Sequence, residues 1–364
     1  MKISYRQLSI MVFMSFLAVK LFALPSYLYV VAKNMSWLVV FVLMIIDAIY
    51  AYLIIELMKK NQDKNIYEFM KNTLGIVLTK IILIVMLVKY VIVIGIIVKG
   101  LELFIVENLY EEFNWLLYGL PLIIVVSFII YKGIRNIGRV FEFFWLIIVV
   151  GCIFIALRAM SGVNPLSFLP MFKDGVMPIF KCGYQHLSWF GSSVFLFMFF
   201  GKVDFSKEKK SRLFWTMVGA ILLVQLLLYV FYGLFEQISP IHQFALSDIA
   251  QFSKTTSSTS GLSWLIVSIW IIGQMTLLAM FGYCFVHAFM YIFDTNSLVF
   301  GIVVLDLYIL SWGIMGKYTV DVEKWFLTDF ASIMTIVSEY VLTLILWLGH
   351  LVKNSKQKKV EVET

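Results

Sequence analysis

Lys20-Leu21-Phe22-Ala23-Leu24-Pro25 lies at the centre of an apolar run over residues 7–31, and its reading decides the fold. The run is long enough to cross a bilayer, since about 20 apolar residues at ~1.5 Å rise span the hydrocarbon core, yet it carries a charge and a proline in its second half. Proline removes a backbone donor and clashes with the preceding turn. In lipid the freed carbonyls must find partners, so a broken backbone persists only where it lines a cavity or packs on protein. Two readings stand: a plain proline kink, or a discontinuous helix of the kind with which transporters build a ligand site, its exposed ends offering unpaired N–H and C=O groups to a polar solute.

Working outward, composition fixes the class. Hydrophobic residues make up 62% of the 364-residue chain and charged residues only 14%, so the protein is expected to be an all-α integral membrane protein. The formal net charge is +7, but the basic residues sit in short loops between apolar runs, which is a topology pattern and not a phosphate-binding face. No nucleic-acid partner is expected. Cys152, Cys182 and Cys284 lie in or beside apolar segments without metal-ligand spacing and read as small buried hydrophobes. Neither a metal nor a cofactor is expected, and the chain shows no glycine-rich phosphate loop, nucleophile elbow or metalloprotease helix motif, so it is not read as an enzyme.

Ten runs of spanning length are expected, over residues 7–31, 36–58, 73–99, 115–131, 137–159, 181–200, 213–236, 262–292, 297–315 and 330–352. The chain reads as one polytopic domain: a first half over about 7–160, a second over about 181–352 and a tail over 353–364. The joint at 161–178 holds Pro165, Pro170 and Pro178 and reads as a loop outside the membrane. Most of the 29 basic residues fall on one side: Lys2 and Arg6; Lys59, Lys60, Lys64 and Lys71; Lys132, Arg135 and Arg139; Lys202, Lys207, Lys209, Lys210 and Arg212; Lys353, Lys356, Lys358 and Lys359. By the positive-inside rule that side is the cytoplasm, and both termini are expected there. The acidic turn 102–112 and the polar connection 237–260 fall opposite. Five runs is an odd number, so the halves must lie in opposite orientations, an arrangement that places a substrate site at the midplane between the first run of each half.

The sixth run fits that expectation. Cys182-Gly183-Tyr184-Gln185-His186-Leu187-Ser188-Trp189-Phe190-Gly191-Ser192-Ser193 places glycines and a polar series where a simple span carries leucine and valine. Glycine frees the backbone to unwind. The other reading is that small residues merely let helices approach closely. Ionisable residues at membrane depth add candidates, because burying them in lipid is costly and suggests function. Lys20 and Asp47 fall at similar depth and are expected to pair, either as an assembly device or as a proton path. Lys89 has Asp306 or Glu339 as its expected partner. His186 is either a proton carrier or a hydrogen-bonded packing residue. Lys80 and Glu56 lie nearer the membrane surface and read as structural. Tyr90, Ser268, Gln274 and Tyr283 are polar candidates for the central site or for interhelical hydrogen bonds.

In this order the motifs resemble a known family. Ile3-Ser4-Tyr5-Arg6-Gln7-Leu8 before the first run, Leu24-Pro25 within it and the turn Ala32-Lys33-Asn34-Met35-Ser36-Trp37 resemble the N-terminal region of the endospore germination permeases, the B subunits of spore germinant receptors, in the amino acid–polyamine–organocation superfamily. The resemblance implies a leucine-transporter-like fold of two inverted five-helix repeats in the cell or spore inner membrane. It implies a small germinant, often an amino acid, held between the first and sixth helices, and other receptor subunits as partners. Carried over by position, the implied contacts are Ala23, Leu24 and Pro25 with Gly183, Tyr184, Gln185 and Ser188. Where many relatives carry a glycine-rich break, this chain has Val19-Lys20-Leu21-Phe22-Ala23, and where some carry an acidic residue it has Phe190-Gly191-Ser192. A proton-coupled amino acid transporter acting alone, and a scaffold that has lost its ligand, are the other readings.

Overall fold

The computed structural model describes residues 2–21, 23–108, 115–242, 244–255, 262–315 and 329–363. Phe22 of the first break, residues 109–112 of the acidic turn, residues 256–260 of the polar connection and the last residue of the tail lie outside the described residues, as do the side chains of the tail lysines.

The protein is an all-α membrane protein. The first run is not one helix: α1 (Tyr5–Ala18) passes into a 3-10 turn (Val19–Leu21), and α2 (Leu24–Ala32) starts afresh. Pro25 sits in the first turn of α2, where a missing N–H costs nothing and its fixed φ suits helix entry. The proline therefore marks the start of a second helix and not a bend in a single one. After a tight 3-10 turn (Lys33–Met35) comes α3 (Ser36–Lys60), then α4 (Ile66–Leu74), an amphipathic helix opened by a reciprocal capping box between Asn65 and Glu68. Next are α5 (Ile76–Asn108), α6 (Leu120–Tyr131) entered through a π-helical turn (Trp115–Gly119), and α7 (Ile134–Ala159).

The sixth run is broken more thoroughly. After α8 (Met177–Gln185) the chain makes a 3-10 turn (Leu187–Trp189), reverses at Gly191 with φ +72°, and continues as a 3-10 segment (Ser192–Phe199). Then follow α9 (Lys210–Phe235), a 3-10 segment (Glu236–Ile241), α10 (Ala245–Thr255), α11 (Leu262–Ile292) and α12 (Leu298–Met315). The last run is α13 (Asp329–Thr335), a π-helical turn (Ile336–Val341) and α14 (Leu342–Glu363).

Among the described residues six stretches are long and apolar enough to cross a membrane: Leu24–Lys60, Ile76–Glu107, Ile134–Gly162, Ser211–Ile241, Ser268–Ile292 and Phe330–Val352. Shorter apolar helices cover Leu117–Tyr131, Leu187–Phe199 and Leu298–Trp312. The most apolar window of Ser268–Ile292 is 83% buried, against 28% for that of Ile134–Gly162, so α11 is central and α7 peripheral. Accordingly α11 packs along α5, while α1 lies on α9 and α7. Exposed Phe143, Leu146, Val150, Phe154 and Leu157 give α7 a face suited to hydrocarbon.

A feature with no hydropathy signature ties the two broken runs together. Ile3–Ser4 forms a short strand, β1, parallel to β2 (Val203–Asp204), with Ile3 opposite Val203 and the Ile3 N–H donating to the Lys202 carbonyl at 2.9 Å. The entry to α1 is thereby fastened to the exit of the Ser192–Phe199 segment.

Candidate functional site

An unwound helix at membrane depth leaves backbone groups that lipid cannot satisfy. Here intramembrane charges satisfy them. The Asp47 carboxylate, from α3, accepts the Gly191 N–H with Oδ1 at 3.0 Å and Oδ2 at 3.2 Å. Glu339 Oε2, from the π-helical turn, accepts the Val194 N–H at 3.1 Å. Lys89 Nζ, from α5, donates to the carbonyls of Ser188 at 3.0 Å and Phe190 at 3.2 Å and to Thr335 Oγ1 at 2.8 Å. The Tyr90 hydroxyl donates to the Val194 carbonyl at 3.0 Å.

Lys20 joins the first break to this network. Its Nζ lies 3.5 Å from Asp47 Oδ2, both side chains being fully buried, and donates to Ser192 Oγ at 3.2 Å. The Phe16 and Phe190 rings flank the ammonium at 5.4 and 5.1 Å. The Tyr340 hydroxyl completes the Asp47 shell at 2.8 Å. Lys20, Lys89, Asp47 and Glu339 thus form a buried group of two lysines and two carboxyls whose members all touch the sixth run. Such a group tolerates burial only while it stays paired and hydrogen-bonded. Among the described residues Glu339 Oε1, Ser193 Oγ and Ser338 Oγ have no hydrogen-bond partner.

Two local devices aim these groups. The π-helical turn at Ile336–Val341, wound more widely than an α-helix, buries Ser338, Glu339 and Tyr340 in succession. At Gly191 a Cβ would lie 2.5 Å from the Thr335 methyl and 3.1 Å from Glu339 Oε2, so only glycine allows the contact.

The expected Lys20–Asp47 pair is present. Lys89 meets the expectation in part: its hydrogen bonds go to two carbonyls and a hydroxyl, while of its two expected acidic partners Glu339 is the one that acts on it electrostatically. Asp306 is elsewhere, accepting from Ser127 Oγ at 2.6 Å, because α12 presents it to α6. His186 Nδ1 faces its own helix, 2.9 Å from the Cys182 carbonyl. Lys80 pairs with Asp294, tying α5 to the end of α11. Tyr283 accepts from Lys202 Nζ at 2.8 Å, away from the charge group, and Ser268 is exposed. Burial pushes the Lys202 ammonium down to about 8.

Of the contacts implied by resemblance, Ala23, Leu24, Pro25 and Ser188 are buried. The Pro25 carbonyl accepts from the Tyr232 hydroxyl at 2.9 Å. Gln274 and Leu21 share the wall of a cavity of about 20 Å³, room for about one water. Gly183 and Tyr184 face the other way, into an apolar groove against α3, and Gln185 is half-buried. Sequence reasoning did not single out Tyr340, Thr335 or Tyr232; their hydroxyls matter through backbone atoms and carboxylates far along the chain, and only the neighbourhood of Tyr340 to Glu339 hinted at one of them.

Residues 2–315 match a family model described as spore germination protein. The chain belongs to this family. The match covers α1 to α12, hence both broken runs and three of the four buried charges; Glu339 lies beyond it. A search among curated proteins returns no match. Membership of the spore germination family, together with the apolar helices, makes this a multi-pass membrane germination protein.

Proposed function

We propose that the protein is the membrane subunit of a germinant receptor, built as ten spans in two inverted five-helix repeats of the leucine-transporter type, and that it binds a small germinant such as an amino acid between its two broken helices. The observation that carries this reading is that Lys20 of the first break and Asp47 meet at Gly191 of the second. A ligand that enters between the breaks competes for the same backbone groups, so it has a direct means of favouring one arrangement of the helices over another. The first turn of α2 has no side-chain cap, and the positive end of a helix dipole suits a ligand carboxylate. The cavity that Leu21 and Gln274 line beside the first break is about 20 Å³, so a germinant that enters there needs α2 or α8 to move. The signal then passes to other receptor subunits. The protein is read as a binder, not an enzyme, without metal or cofactor.

The test is thermal unfolding of the purified protein against a panel of amino acids, beside uptake of the same compounds into proteoliposomes with and without an inward proton gradient. Stabilisation by one or a few amino acids without uptake supports the receptor. Neither stabilisation nor uptake across the panel sinks the site between the breaks. The second reading, a proton-coupled amino acid transporter acting alone, draws on Glu339, a buried carboxyl with one unpartnered oxygen. For that reading gradient-driven uptake must appear in wild type and vanish in Glu339→Gln.

A further inference from the structure

Two cavities adjoin on the side of α8 that faces away from the charge group, sharing Phe172 and Ile179 in their walls. The outer one, about 600 Å³, is lined by Lys33, Asn34, Lys173 and Asp174 among others, at the end of the bundle where α2 and the 161–178 joint lie. The inner one, about 540 Å³, is an apolar groove between α3 and α8, walled by Val39, Val42, Leu43, Phe180 and Gly183, with Tyr340 at its floor. Its α3 wall belongs to the 36–58 run and its α8 wall leads from the 161–178 joint into the 181–200 run, so the groove opens to hydrocarbon at the end away from the vestibule.

We infer that these cavities form one site for a phospholipid, its phosphate in the outer vestibule and one acyl chain in the groove. A polar head chamber continuous with an apolar slot fits an amphiphile and suits neither a free amino acid nor a water-soluble peptide. The vestibule carries two lysines against one aspartate. Lys33 and Asp174 pair at 3.4 Å, but their side chains are 65% and 55% exposed, so the pair is weak and Lys33 is free to turn to a phosphate. Lys173 is also exposed. The groove stays open because Gly183 has no side chain: a Cβ there would meet Val39 and Leu43 only at 3.8 and 3.9 Å, so a larger residue grows into the slot instead of clashing. The floor gives the site a consequence. The Tyr340 ring lies 4.5 Å from that of Tyr50, and its hydroxyl donates to Asp47, the residue that holds Gly191. An acyl chain in the groove packs on Tyr340 from the lipid side and fixes that donor.

Native mass spectrometry of the full-length protein, offered phosphatidylglycerol or diacylglycerol at equal concentration, tests the site. One phosphatidylglycerol per chain is expected to persist through detergent exchange. Its occupancy is expected to fall at least fivefold in Gly183→Phe, which fills the slot, and in the double variant Lys33→Ala with Lys173→Ala, which empties the vestibule of positive charge. Diacylglycerol, lacking phosphate, is expected to be held at least fivefold more weakly. If Gly183→Phe does not fold, Val42→Trp blocks the slot from the opposite wall. Wild-type occupancy in a folded slot-blocking variant overturns the inference, as does equal retention of diacylglycerol. A dimer mass in place of lipid also overturns it, by assigning the groove to a second copy of the chain.

Discussion

Lys20 and Asp47 carry the most consequential single pair. Removing one member of a buried pair leaves the other charge unpaired in a low-dielectric site, at a cost of about 3–5 kcal/mol, whereas removing both often costs little. Lys20→Met is therefore expected to lower stability by about that amount. Asp47→Asn keeps an acceptor for the Gly191 N–H but leaves the ammonium unbalanced, and is expected to cost nearly as much. The double variant is expected to recover more than half of the summed loss, which thermal unfolding of the four proteins in a double-mutant cycle measures directly. Additive losses would mean that the pair is not the unit. The pair was legible because two charges at matching depth in lipid must find each other or water. The hydrogen bonds of Lys89 to the Ser188 and Phe190 carbonyls were not, since backbone carbonyls are present at every residue and leave no trace in the sequence.

At the scale of elements, the break in the sixth run depends on one glycine and one π-helical turn. Gly191→Ala puts an L-residue at φ +72°, which costs about 1–2 kcal/mol by itself, and adds overlap with the Thr335 methyl. A second change, Thr335→Ser, removes that methyl while keeping the hydroxyl that Lys89 uses, so it is expected to recover the overlap portion alone. If Thr335→Ser restores wild-type unfolding to Gly191→Ala, the backbone reversal at 191 carries no strain. The π-helical turn was invisible in sequence, because an inserted residue changes no composition and hydropathy tracks helices whatever their winding.

The segment after α9 supplies a pH test of the same kind. Burial pushes the Asp248 carboxyl up to about 6 against the opposing effect of the Phe244 N–H, and pushes the neighbouring His242, 3.6 Å away, down. A carboxyl with a raised folded pKa binds more protons folded than unfolded between roughly pH 4 and 6. Its contribution to stability is thus favourable at low pH and is lost as pH rises through that window. Asp248→Asn, still able to accept the Phe244 N–H, is expected to raise the unfolding temperature at pH 7.5 by a few degrees and to leave it unchanged at pH 4. An equal effect at both values would assign Asp248 a purely geometric role.

For the whole molecule, the polar contacts between distant segments sort into two faces. Arg6–Glu142, Lys59–Glu208, Lys80–Asp294 and the β1–β2 pairing join segments that the basic-residue pattern puts on one side. Lys33–Asp174 and the Asn164–Glu236 hydrogen bond join segments it puts on the other. Hydropathy made the apolar helices legible, six stretches of them of spanning length among the described residues, but it did not carry the β1–β2 clasp, which is only two residues per strand and has no propensity signal. The proposed ten crossings require this sorting, since each run added or removed inverts every segment after it. This makes the orientation testable by cysteine labelling, with Cys152, Cys182 and Cys284 all buried and therefore silent. Cysteines placed at the exposed positions 161 and 166 are expected to react with a membrane-impermeant maleimide in intact cells, while those at the exposed positions 132 and 207 react only after permeabilisation. Complete inversion of that pattern would keep the ten crossings and place both termini outside. A mixed pattern, with 132 and 207 on different sides, would break the count between α6 and α9 and with it the opposite orientation of the two halves on which the proposed site depends.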